Sequence, residues 1–454
     1  MKKNERFFWI SALITAIIVF TFIFFTNKAK SDNDENDQYL YARIFEKTLN
    51  IVRNNYVDVE SVKPKDLYFG AIDGLLNSLK DEHTNFLSPK VWKELHESLS
   101  GQFEGLGIHI GLKDNWLTVI APIEGTPAFK AGLQPGDIIY KIESKITKGI
   151  SLDEAVAKLR GPKGSKVTIT VLRAGNTSPF DVSIVRDVIN VPSIRFDMIN
   201  SETGYIKLIQ FQKNIDIDIR EAIKSLYKRG MKKLILDVRN NPGGFLIKAV
   251  QVVDLFLSKG KIVYSRGRVS AVNEEYEAHK HNTICKDTPL VVLVNEASAS
   301  ASEILAGAIQ DTRRGVIVGT KSYGKGSVQN VIRLFDGNEE FGMKLTTALY
   351  YTPSGKLIHK KGIIPDVEIK EPEIPVEEIL AKNIITKKNM IKDFLSKNRR
   401  PNQIQIAAFH SKLVQMNLPI SLRLLSKLIY EEQHNLEMPP VFDLSWDIQL
   451  NEAI

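Results

Sequence analysis

Residues 290–329 read LVVLVNEASASASEILAGAIQDTRRGVIVGTKSYGKGSVQ, and the elements this stretch implies organise the chain around it. The apolar run Leu290–Val294 predicts a buried strand ending in a cluster of small hydroxyl residues. A helix is predicted from about Ala301, because Ala301, Glu303, Leu305 and Ala306 are good helix formers and Ser298, Ser300 and Ser302 surround its N-terminus. A second apolar strand, 315–319, follows. A glycine-rich turn then delivers Lys325, Ser327 and Gln329 into a run that alternates like a strand, so that the three share a face.

A serine at a helix start lies beside main-chain N–H groups and the positive end of the helix dipole. Both stabilise an oxygen that becomes negative during attack on a carbonyl. No histidine stands near it to act as base. Lys325 fills that role if burial keeps its amine neutral, and Gln329 can then orient the amine by a hydrogen bond. Competing motifs fit less well. GTKSYGKG, from Gly319, lacks the hydroxyl that ends a phosphate-binding GxxxxGK[ST] loop, and a strand pattern follows it where a helix is required. The SxxK string at Ser322 has no SDN or KTG partner, and G-x-S-x-G is absent. Taken alone, ASASAS also fits a plain small-residue helix start, and Lys325 a solvated turn lysine.

VNEASASASEILAGAIQD followed by GKGSVQ resembles the active-site pair of the carboxyl-terminal processing peptidases, tail-specific serine proteases with a Ser–Lys dyad. In that family the nucleophile is the middle serine of S-A-S-A-S and the base is the lysine of GKGxxQ, 25 residues later; here these are Ser300 and Lys325. The resemblance implies a crotonase-like α/β core in which the NNPGG turn gives a main-chain N–H to the oxyanion hole, beside that of the residue after the serine. Carried over, these are Gly243 or Gly244, and Ala301. The sequence does not choose between the two glycines. Asp237 and Arg239, just before the turn, are expected to brace it.

Working outward, MKKNER precedes about twenty uncharged residues, enough at ~1.5 Å per residue to cross a bilayer core. Lys2, Lys3 and Arg6 should stay cytoplasmic, which places the rest of the chain on the extracytoplasmic, periplasmic side of an inner or plasma membrane. No A-x-A site follows, so 1–26 reads as an uncleaved anchor in preference to a signal segment, with 27–38 as a polar tether. Residues 39–100 show helical periodicity; DEHTNFLSP within them resembles the family's N-terminal segment, with Glu82 in place of a proline, and His83 reads as structural. Residues 101–188 change to short strands and Gly/Pro turns and resemble a PDZ domain, TPAFKAGLQPGDII being the most specific match. There Gly105, Leu106 and Gly107 would present free N–H groups to a terminal carboxylate, and the strand containing Ile108 an open edge to an extended peptide. Residues 189–370 alternate strand and helix as the peptidase core, and 371–454 read as two amphipathic helices that can pack on the core, dimerise or hold an activating partner.

A chain of 454 residues, 43% hydrophobic and 25% charged, has room for two or three ordinary globular domains. The net charge of +8 comes without an aromatic-interleaved basic patch, which argues against nucleic acid as partner. A lone Cys285 excludes an intramolecular disulfide, and no metal or organic cofactor is implied. The expectation is a multi-domain α/β protein, a membrane-anchored Ser–Lys endopeptidase whose PDZ domain recognises proteins with unstructured carboxyl-terminal tails. A catalytically silent PDZ adaptor on the same fold, or a hydrolase of small acyl esters, are the alternatives.

Overall fold

Short apolar runs separated by helical segments build one central sheet. In the computed structural model, strand Ile194–Met198 pairs antiparallel with Thr203–Leu208, and Lys233–Asp237, Leu290–Val294, Val316–Gly319 and Val367–Glu368 then add in parallel. The structure describes residues 37–454 apart from 114, 124, 175, 177, 337–339 and 435–439. The expected anchor at 1–26 therefore lies outside the described residues, among which no helix is long and apolar enough to cross a membrane.

Successive side chains of a strand face opposite ways, and here both faces are covered, which is why these strands are apolar without alternation. Ile206, Leu236, Val292 and Ile317 pack under helices Ile215–Lys228, Leu246–Asp254 and Ala301–Asp311. Tyr205, Ile235, Leu293 and Val318 face the other way, against Leu450 near the chain's end. Parallel strands all finish at the same edge of a sheet, and a crevice forms there between the loops that leave them. The loops at that edge carry Gly243 and Gly244, Ser300, and Lys325.

The segment expected to be a PDZ domain is an antiparallel sheet in the order Ile108–Lys113, Trp116–Pro122, Ile138–Ile142, Lys166–Leu172, Phe180–Val185, with the short strand Lys145–Ile146 beside the third. It closes over Leu117, Val119, Ile139, Val167 and Ile169, all at most 1% exposed. Strands Gln102–Gly105 and Asp187–Asn190, entering and leaving it, pair side by side. The domain is thus inserted as a loop with adjacent ends.

The segment after 371 departs from expectation. Among the described residues four helices, Val376–Lys387, Met390–Lys397, Gln403–Gln415 and Leu422–Gln433, stand where the sequence predicts two, and a fifth, Ile448–Ala453, follows. The breaks have local causes. Asn389 and Asn417 take left-handed backbone angles (φ 51° and 56°), which asparagine tolerates best after glycine, and Pro419 cannot continue a helix. The first four close over their own small core of Ala381, Ile385, Leu413, Leu425 and Ile429.

The described residues of 37–88 and of Val331–Leu345 form a separate compact unit. It holds helices at 37–55 and Pro64–Asn77, a strand Asn85–Leu87 paired with Gly342–Lys344, and a cluster of Phe69, Phe86 and Phe341 with ring centroids 4.8–6.0 Å apart.

Candidate active site

The serine-rich loop is sorted by its hydrogen bonds. Ser298 and Ser302 are fully buried, and their hydroxyls donate to the carbonyls of Val238 (2.8 Å) and Asn241 (3.0 Å), so both are spent on holding the neighbouring loop. Ser300 is half-buried between them. It heads helix Ala301–Asp311 at φ 57°, ψ −112°. A non-glycine residue there carries strain of order 1–3 kcal/mol, which persists only where the surroundings enforce it.

Those surroundings centre on Glu303. Its side chain is inaccessible to solvent, yet its carboxylate accepts four hydrogen bonds: Ser322 Oγ and Gly324 N–H at 2.6 Å on Oε1, Ser300 N–H at 2.9 Å and Lys325 N–H at 2.8 Å on Oε2. Burial raises its pKa above the ordinary carboxylate value while these donors pull it back. A single oxygen therefore ties the main chain of the serine to that of the lysine. Their two nitrogens lie within about 5.7 Å of one another, the sum of the two bonds. From the sequence, Glu303 reads only as a helix former. The signal was present as a charge three residues after a helix-capping serine, inside an otherwise small and apolar helix.

Lys325 is pinned on both sides. The carbonyls of Gly324 and Gly326 accept N–H bonds from Lys360 and Tyr350, each at 2.7 Å. Gln329 does share a face with Ser327: its Nε2 donates to Ser327 Oγ at 2.8 Å and to Thr346 Oγ1 at 3.3 Å. Its amide oxygen is left without a side-chain donor among the described residues.

The NNPGG turn is brought against the serine. A Cβ on Gly243, which sits at φ +102°, would stand 2.8 Å from Ser300 Cβ and 3.0 Å from Ala301 N, so only glycine fits. The Gly243 N–H is occupied by Asn241 Oδ1 at 2.8 Å. Among the described residues, the N–H groups of Gly244 and Ala301 donate to nothing. Asn241 Nδ2 holds Leu208 O at 2.9 Å, its carbonyl accepts the Ala299 N–H at 3.0 Å, and Asn240 and Asn295 exchange two 2.9 Å bonds across the crevice. Behind the turn, Asp237 is fully buried and accepts from Tyr205 Oη (2.7 Å), Lys207 Nζ (3.0 Å) and Arg239 (2.7 Å). Burial opposes its charge, but Lys207, Arg239 and Tyr205 outweigh that and hold its carboxyl below the usual range. Asp237 and Arg239 brace the turn, as expected.

Residues 202–369 match peptidase family S41, and 118–173 match a PDZ domain. A carboxy-terminal-processing protease of Bartonella bacilliformis is 41% identical over 350 residues, covering 76% of this chain and 79% of that one. The chain belongs to peptidase family S41, the carboxyl-terminal-processing proteases. A second member, from Synechocystis sp., is 35% identical over 396 residues, 84% of this chain and 91% of its own. Among solved structures, the photosystem II D1 C-terminal processing protease is 30% identical with a TM-score of 0.43, over 73% of this chain and 93% of that one. The protein is accordingly a serine peptidase, a multi-domain α/β S41 enzyme that contains a PDZ domain.

In the PDZ segment, Leu106 is buried, and its carbonyl and that of Gly107 accept bonds from Ala128 and Ile123 N–H, each at 2.9 Å. Among the described residues the Leu106 and Gly107 N–H groups donate to nothing. The strand Ile108–Lys113 that follows is the edge of its sheet.

Proposed function

We propose that this enzyme cleaves proteins near their carboxyl termini by a Ser300–Lys325 dyad. Ser300 Oγ attacks the scissile carbonyl while neutral Lys325 takes its proton, and the lysine later returns it to the leaving amine. The observation that carries this reading is the Glu303 carboxylate, whose Oε2 accepts the N–H of both residues. The oxyanion is assigned to the N–H groups of Ala301 and Gly244, because that of Gly243 is already taken by Asn241. Gln329, with its Nε2 spent on Ser327 and Thr346, has its amide oxygen to offer the lysine amine.

The unused N–H groups of Leu106 and Gly107, beside an open strand edge at Ile108, support capture of a substrate's terminal carboxylate and an added peptide strand. The uncharged N-terminal run supports a single membrane pass with the catalytic part on the extracytoplasmic side. Retention of the chain in membranes after carbonate washing tests that placement.

The dyad is tested with an unfolded model protein bearing an apolar carboxyl-terminal tail, incubated with wild type, Ser300→Ala and Lys325→Ala across pH 6 to 10. Cleavage by wild type alone, rising with deprotonation of one group, is the expected result. A fully active Ser300→Ala overturns the reading. Tail binding by all three proteins without any hydrolysis replaces it with the adaptor.

A further inference from the structure

The turn that carries Gly244 is held partly by the far end of the chain. Arg239 has five N–H donors and uses them all. Nε meets both Asp237 oxygens at 3.1 Å, and Nη2 reaches Asp237 Oδ2 at 2.7 Å and Asp447 Oδ2 at 2.5 Å. Nη1 reaches Asp447 Oδ1 at 2.7 Å and Gln449 Oε1 at 3.1 Å. Two of the three residues it contacts thus lie more than 200 positions away in sequence. Gln449, 3% exposed, also donates to Ile369 O at 2.7 Å, and Leu450, 0% exposed, sits among Tyr205, Ile235, Leu293 and Val318. Asp447 itself caps the last helix through the Leu450 N–H at 2.9 Å. The charges of Lys207 and Arg239 balance those of Asp237 and Asp447 only while this segment is seated.

We infer that Asp447 and Gln449 are positioning residues of the active site, acting through Arg239 on the turn that receives the oxyanion. The route is continuous. The Arg239 carbonyl accepts from Lys207 Nζ at 2.9 Å, and the next residues, Asn240 and Asn241, fix Asn295, Ala299 and the Gly243 N–H. A guanidinium that loses half its acceptors shifts that anchor, and oxyanion donors act only when aimed at the developing charge. The same acceptors span a bidentate fork, which fixes direction as well as distance. This inference rests on the assignment of Gly244 N–H to the oxyanion. A cavity of about 1030 Å³ borders the network, lined by Arg239, Asp447 and Gln449 among others, so that water can replace a lost carboxylate without collapse of the fold.

The test compares full-length wild type, Ser300→Ala, Asp447→Asn, Asp447→Glu and, as a control on the exposed face of the same helix, Glu452→Gln. Asp447→Asn should lower kcat about tenfold or more, less than the roughly 10²- to 10³-fold that loss of an oxyanion donor itself costs, with KM within about twofold. Its affinity for a peptide aldehyde, whose adduct on Ser300 carries an oxyanion, should fall in parallel. Asp447→Glu should restore most of the rate, and Glu452→Gln should match wild type. Two results overturn the inference: Asp447→Asn with wild-type kcat and aldehyde affinity, or a loss of rate no larger than the unfolded fraction seen by circular dichroism at the assay temperature. A wild type no more active than Ser300→Ala removes the functional reading and this inference with it, whereas an active wild type matched by Asp447→Asn removes the inference alone.

Discussion

Replacing Glu303 tests the core of the site, because four donors converge on its two buried oxygens. In Glu303→Gln one oxygen becomes an NH2. Turned toward Ser300 and Lys325, that group would face two N–H donors and leave both unpaired. Turned the other way it faces Gly324 N–H and Ser322. The Ser322 hydroxyl already accepts from Ile363 N–H at 2.6 Å but has a second lone pair for the new N–H. The second orientation is therefore preferred. It leaves chiefly the Gly324 N–H unsatisfied, at about 1–3 kcal/mol, and keeps the oxygen shared by Ser300 and Lys325. Glu303→Ala removes the acceptors of all four donors in a site closed to water, so roughly 4 kcal/mol or more is lost and the Ser300–Lys325 registration with it. At about 1.4 kcal/mol per tenfold, and with 1 Å errors costing about 10²-fold, kcat/KM should fall about tenfold in Glu303→Gln and at least 100-fold in Glu303→Ala. Urea denaturation gives the stabilities and cleavage of a tailed substrate the rates. A folded Glu303→Ala with kcat/KM within threefold of wild type would refute the reasoning.

Other perturbations follow from the same geometry. Burial raises the Glu303 pKa above its ordinary 4.5, so the folded state binds that proton more tightly than the unfolded chain. Its contribution is full below about 4.5 and is lost as pH rises through the folded value, so the stability advantage of wild type over Glu303→Gln should be largest near pH 4 and shrink toward pH 7 in paired urea titrations. Gly243→Ala puts a Cβ 2.8 Å from Ser300 Cβ at φ +102°, and labelling of Ser300 by a fluorophosphonate should slow at least 100-fold; labelling at the wild-type rate would show that the turn can yield. Gly107→Val meets Thr126 at 2.4–2.6 Å with φ +76°, and should abolish binding of a tail peptide while leaving turnover of a small ester intact, as read by fluorescence anisotropy and ester hydrolysis.

The strands and helices around the site were legible because each is an uninterrupted apolar run with a sharp end, as at Leu290–Val294 and Ala301–Asp311. That Ser300 and Lys325 come together was legible through their strings and spacing, and that Gly243 comes against Ser300 through the turn. What bound these pieces was not. Glu303 looks like any helix former until its burial is known, and Asn241 looks like one turn asparagine of two. The contact of Asp447 with Arg239 spans 208 residues, and no local pattern encodes a pairing at that separation. Helix ends at Asn389 and Asn417 were missed because periodicity continues through a single left-handed residue.

The separation of serine from lysine is a property of the sheet before it is one of the side chains. Leu290–Val294 and Val316–Gly319 are adjacent parallel strands, so the loops leaving them start about 4.8 Å apart. Helix Ala301–Asp311 is the crossover between them, and its first turn necessarily lies above that gap. A carboxylate in the first turn can then reach the main chain of both loops, and the N–H groups it meets there are those a helix start and a glycine turn leave unpaired. Burying that charge costs desolvation, which four short hydrogen bonds offset, and the arrangement they enforce includes the strained backbone at Ser300. The pair can therefore lie 25 residues apart in sequence and still be set by three consecutive elements, whereas the turn at Gly243 and Gly244, which enters from a third strand, needs the separate bracing that Asp237, Arg239 and the end of the chain supply.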